Sequence, residues 1–234
     1  MVAADARRLR VALLAAVSVA AMLSGCGSST PAGNGLLSKT PAQIIALAKS
    51  AASGAASVHV AGSILSEGKP ISLDMELLAQ QGGKGRVALD GLSFRLLDVD
   101  RAVYVKGSSA FYSRFAGTTT ARALSGRWLK GAAATGALAP LAQLADLGKL
   151  LDSTLSDHGA LTRGADARVG GHEAVAVTDA AAGGTLYVAA TGVPFPLEIV
   201  ERGTGRIVFD RWNQPVSLAV PKDAINVKQL EGGR

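Results

Sequence analysis

The side chains able to do chemistry are few and scattered. Three histidines, His59, His158 and His172, lie far apart in the 234-residue sequence, and none has a partner at metal-ligand spacing. His172-Glu173 lacks the second histidine of the H-E-x-x-H zinc site, which needs two imidazoles on one helix face. Asp98 and Asp100 could share a strand face as a paired-carboxylate acid–base site. The segment leads directly into a turn, so a solvated strand end is expected there instead. Asp157-His158 follows a leucine-rich stretch, where a histidine suits the negative end of a helix. No G-x-S-x-G elbow, P-loop or G-x-G-x-x-G run is present. We therefore assign no catalytic residue and no metal ligand, expect no cofactor, and expect no enzyme activity.

The single cysteine is a different matter. Cys26 follows an N-terminal stretch with Arg7, Arg8 and Arg10 and then thirteen uncharged, mostly apolar residues, Val11 to Leu23. That is a signal-peptide pattern, and thirteen residues fall short of the roughly 20 that a spanning helix needs. Leu23-Ser24-Gly25-Cys26 resembles the bacterial lipobox, in which the cysteine is diacylated and becomes the new N-terminus. Residues 1–25 are thus expected to be a lipoprotein signal peptide. Residues 26–40 are expected to form the lipidated cysteine and a Gly/Ser/Thr/Pro-rich flexible tether. Residues 41–234 remain for one domain on the extracytoplasmic face of the cell membrane, held by a diacylglyceryl anchor.

Composition narrows the rest. Hydrophobic residues make up 48%, charged residues 18%, and mean hydropathy is +0.28, which excludes a disordered chain. Aromatics are only 4%, so the core must rest on aliphatic and small side chains. One cysteine excludes an internal disulfide and a cysteine-based zinc site. The net charge of +6 falls to +4 when Asp5, Arg7, Arg8 and Arg10 leave, with 21 Lys+Arg then facing 17 Asp+Glu. The basic residues are scattered and not interleaved with aromatics, so nucleic acid is not an expected partner.

The elements that would position any site read as a sheet with few helices. Thr40 can cap and Pro41 can open a helix whose apolar face is Ile44, Ile45, Leu47, Ala48, Ala51 and Ala52, with Gly54 as its stop. Residues 71–77 alternate strictly, Ile71, Leu73, Met75 and Leu77 against Ser72, Asp74 and Glu76, the mark of a strand with one wet face. Further strands are expected at 57–65, 86–90, 93–99, 102–106 and 110–115, joined by turns at 67–69, 82–83, 100–101 and 107–108. The middle suggests a short helix at 118–124, a short strand at 127–129, and one long amphipathic helix carrying Leu138, Leu141, Leu144, Leu147, Leu151 and Leu155. Strands return at 167–170, 172–178, 185–190, 197–202 and 206–212, ending near 216–219. Short connections without helical crossovers favour an antiparallel sheet. The expected class is α+β: a strongly curved antiparallel sheet of about ten or eleven strands with helices covering its concave face. Side chains facing its interior include Leu73, Met75, Leu77, Leu89, Val103, Val105, Val188, Ile199 and Phe209, opposite Leu144, Leu147 and Leu151 of the leucine helix. Those twelve are the candidate apolar-pocket residues.

Several short motifs carry a family resemblance. Phe209 to Pro221 (FDRWNQPVSLAVP) resembles the terminal signature of LppX/LprG-type envelope lipoproteins of actinobacteria. Leu186-Tyr187-Val188 with Gly192 to Leu197, and Ala102 to Lys106, are similar to strands of that family and of LolA-like carriers. The resemblance implies a half-barrel, with a pocket between sheet and helices that takes acyl chains in lipid-carrying members. The expected function is binding or transport of lipid or glycolipid in the envelope, with an envelope transporter as a possible partner. The competing expectation is a partner-binding or sensory ectodomain with a closed core.

Overall fold

The structure, a computed structural model, describes residues 33–231 apart from 67, 115, 116, 156–158, 182 and 204. The expected signal peptide, Cys26, the first half of the tether, Asp157 and His158 lie outside the described residues.

The described chain enters at residues 33–40, which belong to the domain and not to the flexible tether expected there: the Asn34 side chain donates to the Ala189 carbonyl at 2.8 Å, and Leu36, in the short helical turn Leu36–Ser38, is buried in the core. Helix α1 (Pro41–Ser53) follows. Thr40 and Gln43 form a reciprocal cap, the Gln43 N–H donating to the Thr40 hydroxyl at 3.3 Å and the Thr40 N–H to the Gln43 side chain at 3.1 Å. Ile44, Ile45, Ala48 and Ala52 form its buried face. Five strands follow as a meander: β1 (Ser57–Ser66), β2 (Lys69–Leu78), β3 (Gly82–Leu89), β4 (Leu92–Val99) and β5 (Ala102–Gly107). Short helices α2 (Ser109–Tyr112) and α3 (Thr118–Leu124) precede β6 (Trp128–Ala132). The helical middle is α4 (Ala139–Ala142), a 3₁₀ turn at Gln143–Ala145 and α5 (Leu147–Leu155). The second set of strands is β7 (Leu161–Arg163), β8 (Ala167–Val169), β9 (His172–Asp179), β10 (Gly184–Ala189), β11 (Pro196–Glu201) and β12 (Gly205–Asp210). A two-residue β13 (Ile225–Asn226) and α6 (Val227–Glu231) end the described chain.

All thirteen strands belong to one open, strongly curved sheet, in the order β13-β6-β5-β4-β3-β2-β1-β12-β11-β10-β9-β7, with β8 also on β9. The first strand pairs with β2 on one side and with β12 on the other, so both sets of strands grow outward from it. Register sets the inner face. One row of facing residues runs Leu129, Val105, Leu96, Gly85, Met75, Val60, Phe209. The next runs Gly107, Phe94, Val87, Leu73, Gly62, Ile207, Ile199, Leu186, Val177. Burying each large aliphatic of these rows contributes about 1.5–3 kcal/mol. The backbones of β1 and β12 approach closely along their pairing. Gly62 and Gly205 have φ of 155° and 146°, and a Cβ on either would overlap a carbonyl of the facing strand.

Helices lie on the concave face. The first packs on α5, β7, β9 and β11, the 3₁₀ turn on β3 and β4, and α2 on β4 and β5. Tyr112 anchors α2, its hydroxyl accepting the Gly107 N–H at 3.0 Å and lying 2.8 Å from the Arg127 carbonyl. The segment after β12 crosses to the convex face. Its corner at Arg211 and Asn213 uses positive φ (51° and 59°), and the Asn213 side chain accepts the Ala56 N–H at 2.7 Å.

Several expectations need correction. The sheet has thirteen strands, not ten or eleven, because β7 and β13 are too short to show a pattern, and β13 pairs with β6 in parallel. Residues 110–115 were expected to be a strand, but Ser109–Tyr112 are helical because Ser108 caps the turn, accepting the Phe111 N–H at 3.2 Å. Gly82 and Gly83 begin β3 and are not a turn; the turn is made by residues 79–81, with Gln80 at φ 59°. Residues 216–219 make no strand; flanked by Pro215 and Pro221, they form an extended strap. The single leucine helix is two helices and a 3₁₀ turn. Asp146 breaks it with extended backbone and restarts it by accepting the Lys149 N–H at 3.0 Å.

Candidate functional site

Strict alternation on β2 places Ile71, Leu73, Met75 and Leu77 side by side on the concave face, with Val87 of β3 beside them. Opposite stand Gln143, Leu144, Lys149 and Leu150 of the 3₁₀ turn and α5. Between the two lies an apolar cleft of about 230 Å³. On the other side of the same helical segment is a wider hollow of about 900 Å³. It is walled by the turns at Gln80-Gln81 and Asp100-Arg101, by Asp98, and by the stretch from Ala133 to Lys149. Gln143 and Lys149 line both spaces, so the segment from Gln143 to Lys149 is the partition between them.

The partition is held unevenly. Ala145, Leu147 and Leu151 are buried and seat it on the core, and Lys49 of α1 pairs with Asp152 at 2.9 Å. Leu144, by contrast, is 38% exposed. The cleft also has an apolar rim: Ile64, Ile71, Leu89 and Leu92 face one another across four strands, and Leu89 is 41% exposed. A row of large aliphatics at a sheet end, running into an apolar cleft, is the kind of surface that soluble proteins use for contact.

The wider hollow is lined by charged and apolar side chains alike. Asp98 has its carboxyl pushed above the ordinary range, mainly by burial and further by the Asp146 carboxylate. Lys149 lies 3.9 Å from Asp146 and supplies the local counter-charge. Asp98 and Asp100 do not form a catalytic pair, because Asp100 is an exposed turn residue at φ 51°.

The twelve predicted pocket residues divide into three groups. Leu73, Met75, Leu77 and Leu144 line the cleft, and Leu89 stands on its rim. Leu147 lines the wider hollow, while Leu151, on the buried face of α5, is 2% exposed. Val103, Val105, Val188 and Phe209 are buried in the packed core, and Ile199 packs partly against it, away from the cleft. Ile71, Val87, Gln143, Lys149 and Leu150 were missed as lining residues. Alternation with Leu73 was a usable signal for Ile71. Gln143 and Lys149 are polar residues inside a leucine stripe and gave none.

Outside the cleft, His59 stands on the convex face between Asp210 (Nδ1 at 2.6 Å) and Asp74 (Nε2 at 2.9 Å). One ring nitrogen goes to each carboxylate, so the three groups do not converge on a point. Among the described residues no cluster with metal-binding geometry occurs. No described helix is long and apolar enough to cross a membrane.

No family model and no curated protein sequence matches the chain. Among solved structures the chain is similar to LprF from Mycobacterium bovis, at 16% identity and a TM-score of 0.54, over 77% of this chain and 96% of that one. A looser likeness is to MucB in the MucA/MucB complex of Pseudomonas aeruginosa, at 15% identity and a TM-score of 0.38, over 77% of this chain and 61% of that one. The fold is LppX/LprG-like.

Proposed function

We propose that this protein is a lipid-anchored envelope protein that binds lipid or glycolipid by its acyl chains in the cleft between β2 and the segment from Gln143 to Leu150. The observation that carries this reading is the cleft itself, apolar on its sheet wall, with Leu144 and Leu150 facing it from the helical side, and continuous with an exposed apolar rim. Each methylene that leaves water for such a surface contributes about 0.8 kcal/mol. An LppX/LprG-like fold, whose lipid-carrying members hold acyl chains in this place by family resemblance, agrees with it.

The cleft volume of about 230 Å³ is below the roughly 300–1,000 Å³ of small-molecule sites. Loading therefore requires the partition to lift. Because Gln143 and Lys149 wall both spaces, lifting them joins the cleft to the wider hollow. Acyl chains would then lie along Leu73 and Met75, with the headgroup among Gln80, Asp98 and Arg101. Diacylated Cys26 would hold the domain at the membrane, since two acyl chains anchor stably where one does not. Because the chain is docked on the domain from Gly33 onward, only residues 27–32 would act as tether, reaching at most about 22 Å at roughly 3.3–3.6 Å each.

The test is a plug. Leu73→Trp fills the cleft with an apolar ring, so the full chain should stay folded while uptake of a fluorescent fatty acid falls at least tenfold. Undiminished uptake in a folded L73W protein would remove the cleft from the account. No uptake by the wild type would move the reading to the partner-binding ectodomain.

A further inference from the structure

The convex face carries a feature that a lipid cleft does not explain. Register places Asp74, Arg86, Arg95, Lys106 and Trp128 in one row across β2 to β6. Three cations thus follow one another on adjacent strands, with Arg86 directly opposite Arg95. Cβ atoms of such partners are about 4.5–5.5 Å apart, and like charges there oppose pairing. The nearby carboxylates do not relieve it. Asp74 is engaged by His59 at 2.9 Å, and Glu76 by Lys84 at 3.2 Å and Arg211 at 3.3 Å. Among the described residues the Arg86 and Arg95 guanidiniums have neither an ion pair nor a hydrogen bond.

The row is not an open surface. The strap after β12 crosses it, pinned where the Lys84 ammonium donates to the Ser217 carbonyl at 2.7 Å and where Leu218 packs with Leu97 and Trp128. Between strap and sheet is a groove of about 450 Å³, within the range of small-molecule sites of roughly 300–1,000 Å³. Lys84, Arg86, Arg95 and Arg211 line it against only Asp74 and Glu76, and Trp128 and Leu97 give it an apolar wall.

From the facing guanidiniums under the strap, we infer that this groove is a second binding site, for a small organic phosphate. Guanidinium forks match phosphate oxygens two by two, and a dianion between Arg86 and Arg95 turns their repulsion into binding. The uncharged part of the ligand, a polyol ester by size, rests against Trp128 and Leu97. The phosphate comes either from a soluble ester or from a phospholipid headgroup presented to the convex face.

Thermal unfolding of the full chain separates these sources. In phosphate-free maltoside micelles, glycerol 3-phosphate should raise Tm, while R86Q and R95Q each weaken the response at least tenfold in half-saturating concentration. R86K, which keeps charge and loses the fork, should respond in between. R95Q without ligand should be no less stable than wild type, because the row has lost a like charge. A headgroup source predicts in addition a higher Tm in phosphatidylglycerol vesicles than in phosphatidylcholine vesicles, a difference absent from R86Q and R95Q. The inference is overturned if neither probe acts. It is equally overturned if sodium chloride at matched ionic strength acts as well, or if R86Q and R95Q respond like wild type.

Discussion

Leu144 and Leu151 belong to one leucine stripe, yet the structure gives them opposite roles, and a pair of substitutions separates these. Leu151, on the buried face of α5, is 2% exposed. Leu151→Ala should cost about 2–5 kcal/mol of stability, the transfer term plus the cavity left behind. Leu144 is 38% exposed over the cleft, and a surface change there shifts stability by about 0.5 kcal/mol or less. Leu144→Asp should therefore fold normally. Its carboxylate would face an acyl chain when the cleft is loaded, leaving a charged group without partners at about 1–3 kcal/mol. At 1.4 kcal/mol per factor of ten, lipid affinity should drop by roughly 5- to 150-fold. Urea unfolding measures the first quantity, and titration with a fluorescent fatty acid measures the second. Leu144→Met, apolar and similar in volume, should bind as wild type does. A folded L144D protein with unchanged affinity would refute the placement of Leu144 over the bound chain. An L151A protein as stable as wild type would refute the anchoring of α5.

Further outcomes follow from other parts of the molecule. Asp98 has its carboxyl pKa raised by burial and by Asp146, so the folded state holds this proton more tightly than the unfolded chain does. Its contribution to stability should grow as pH falls through the raised value and be lost as pH rises through it. Asp98→Asn should abolish that slope in urea unfolding followed upward from about pH 4, the unfolded carboxyl range, and an unchanged slope would contradict it. Trp212 stacks on Phe195 with centroids 4.5 Å apart and donates to the Pro196 carbonyl at 3.0 Å. Trp212→Ala should cost about 3–5 kcal/mol in the same assay, and a loss under 1 kcal/mol would show that the corner is held elsewhere. Cys26→Ser should abolish incorporation of labelled palmitate and release the chain from membranes; retained label would mean that another residue is acylated.

What the sequence made legible was local. The alternation from Ile71 to Leu77 placed β2 and its inner face correctly, because period-two burial is visible wherever one strand face is wet. Thr40-Pro41 likewise announced α1, since both cap partners lie within one turn. What escaped depends on contacts between distant segments. Asp146 breaks the leucine stripe through its own backbone turn, and nothing in the spacing of Leu138 to Leu155 marks that break. Leu89 was read as interior, and alternation does put it on the inner face, but at the last rung of β3 it stays 41% exposed. Val103, Val105, Val188 and Phe209 were read as pocket residues with equal reason; only the positions of the helices show that their stretch of the sheet is covered and filled. The row from Arg86 to Lys106 is invisible until strand register is known, because its members are about ten residues apart in sequence.

The most direct test of the lipid-binding account is native mass spectrometry of the mature chain, purified in mild detergent from the envelope of a host that makes it. The account predicts a population heavier than the protein with its covalent anchor by the mass of one lipid. That lipid should leave on denaturation and be absent from the L73W protein. A single mass equal to the anchored protein alone, unchanged after incubation with added lipids, would contradict the account.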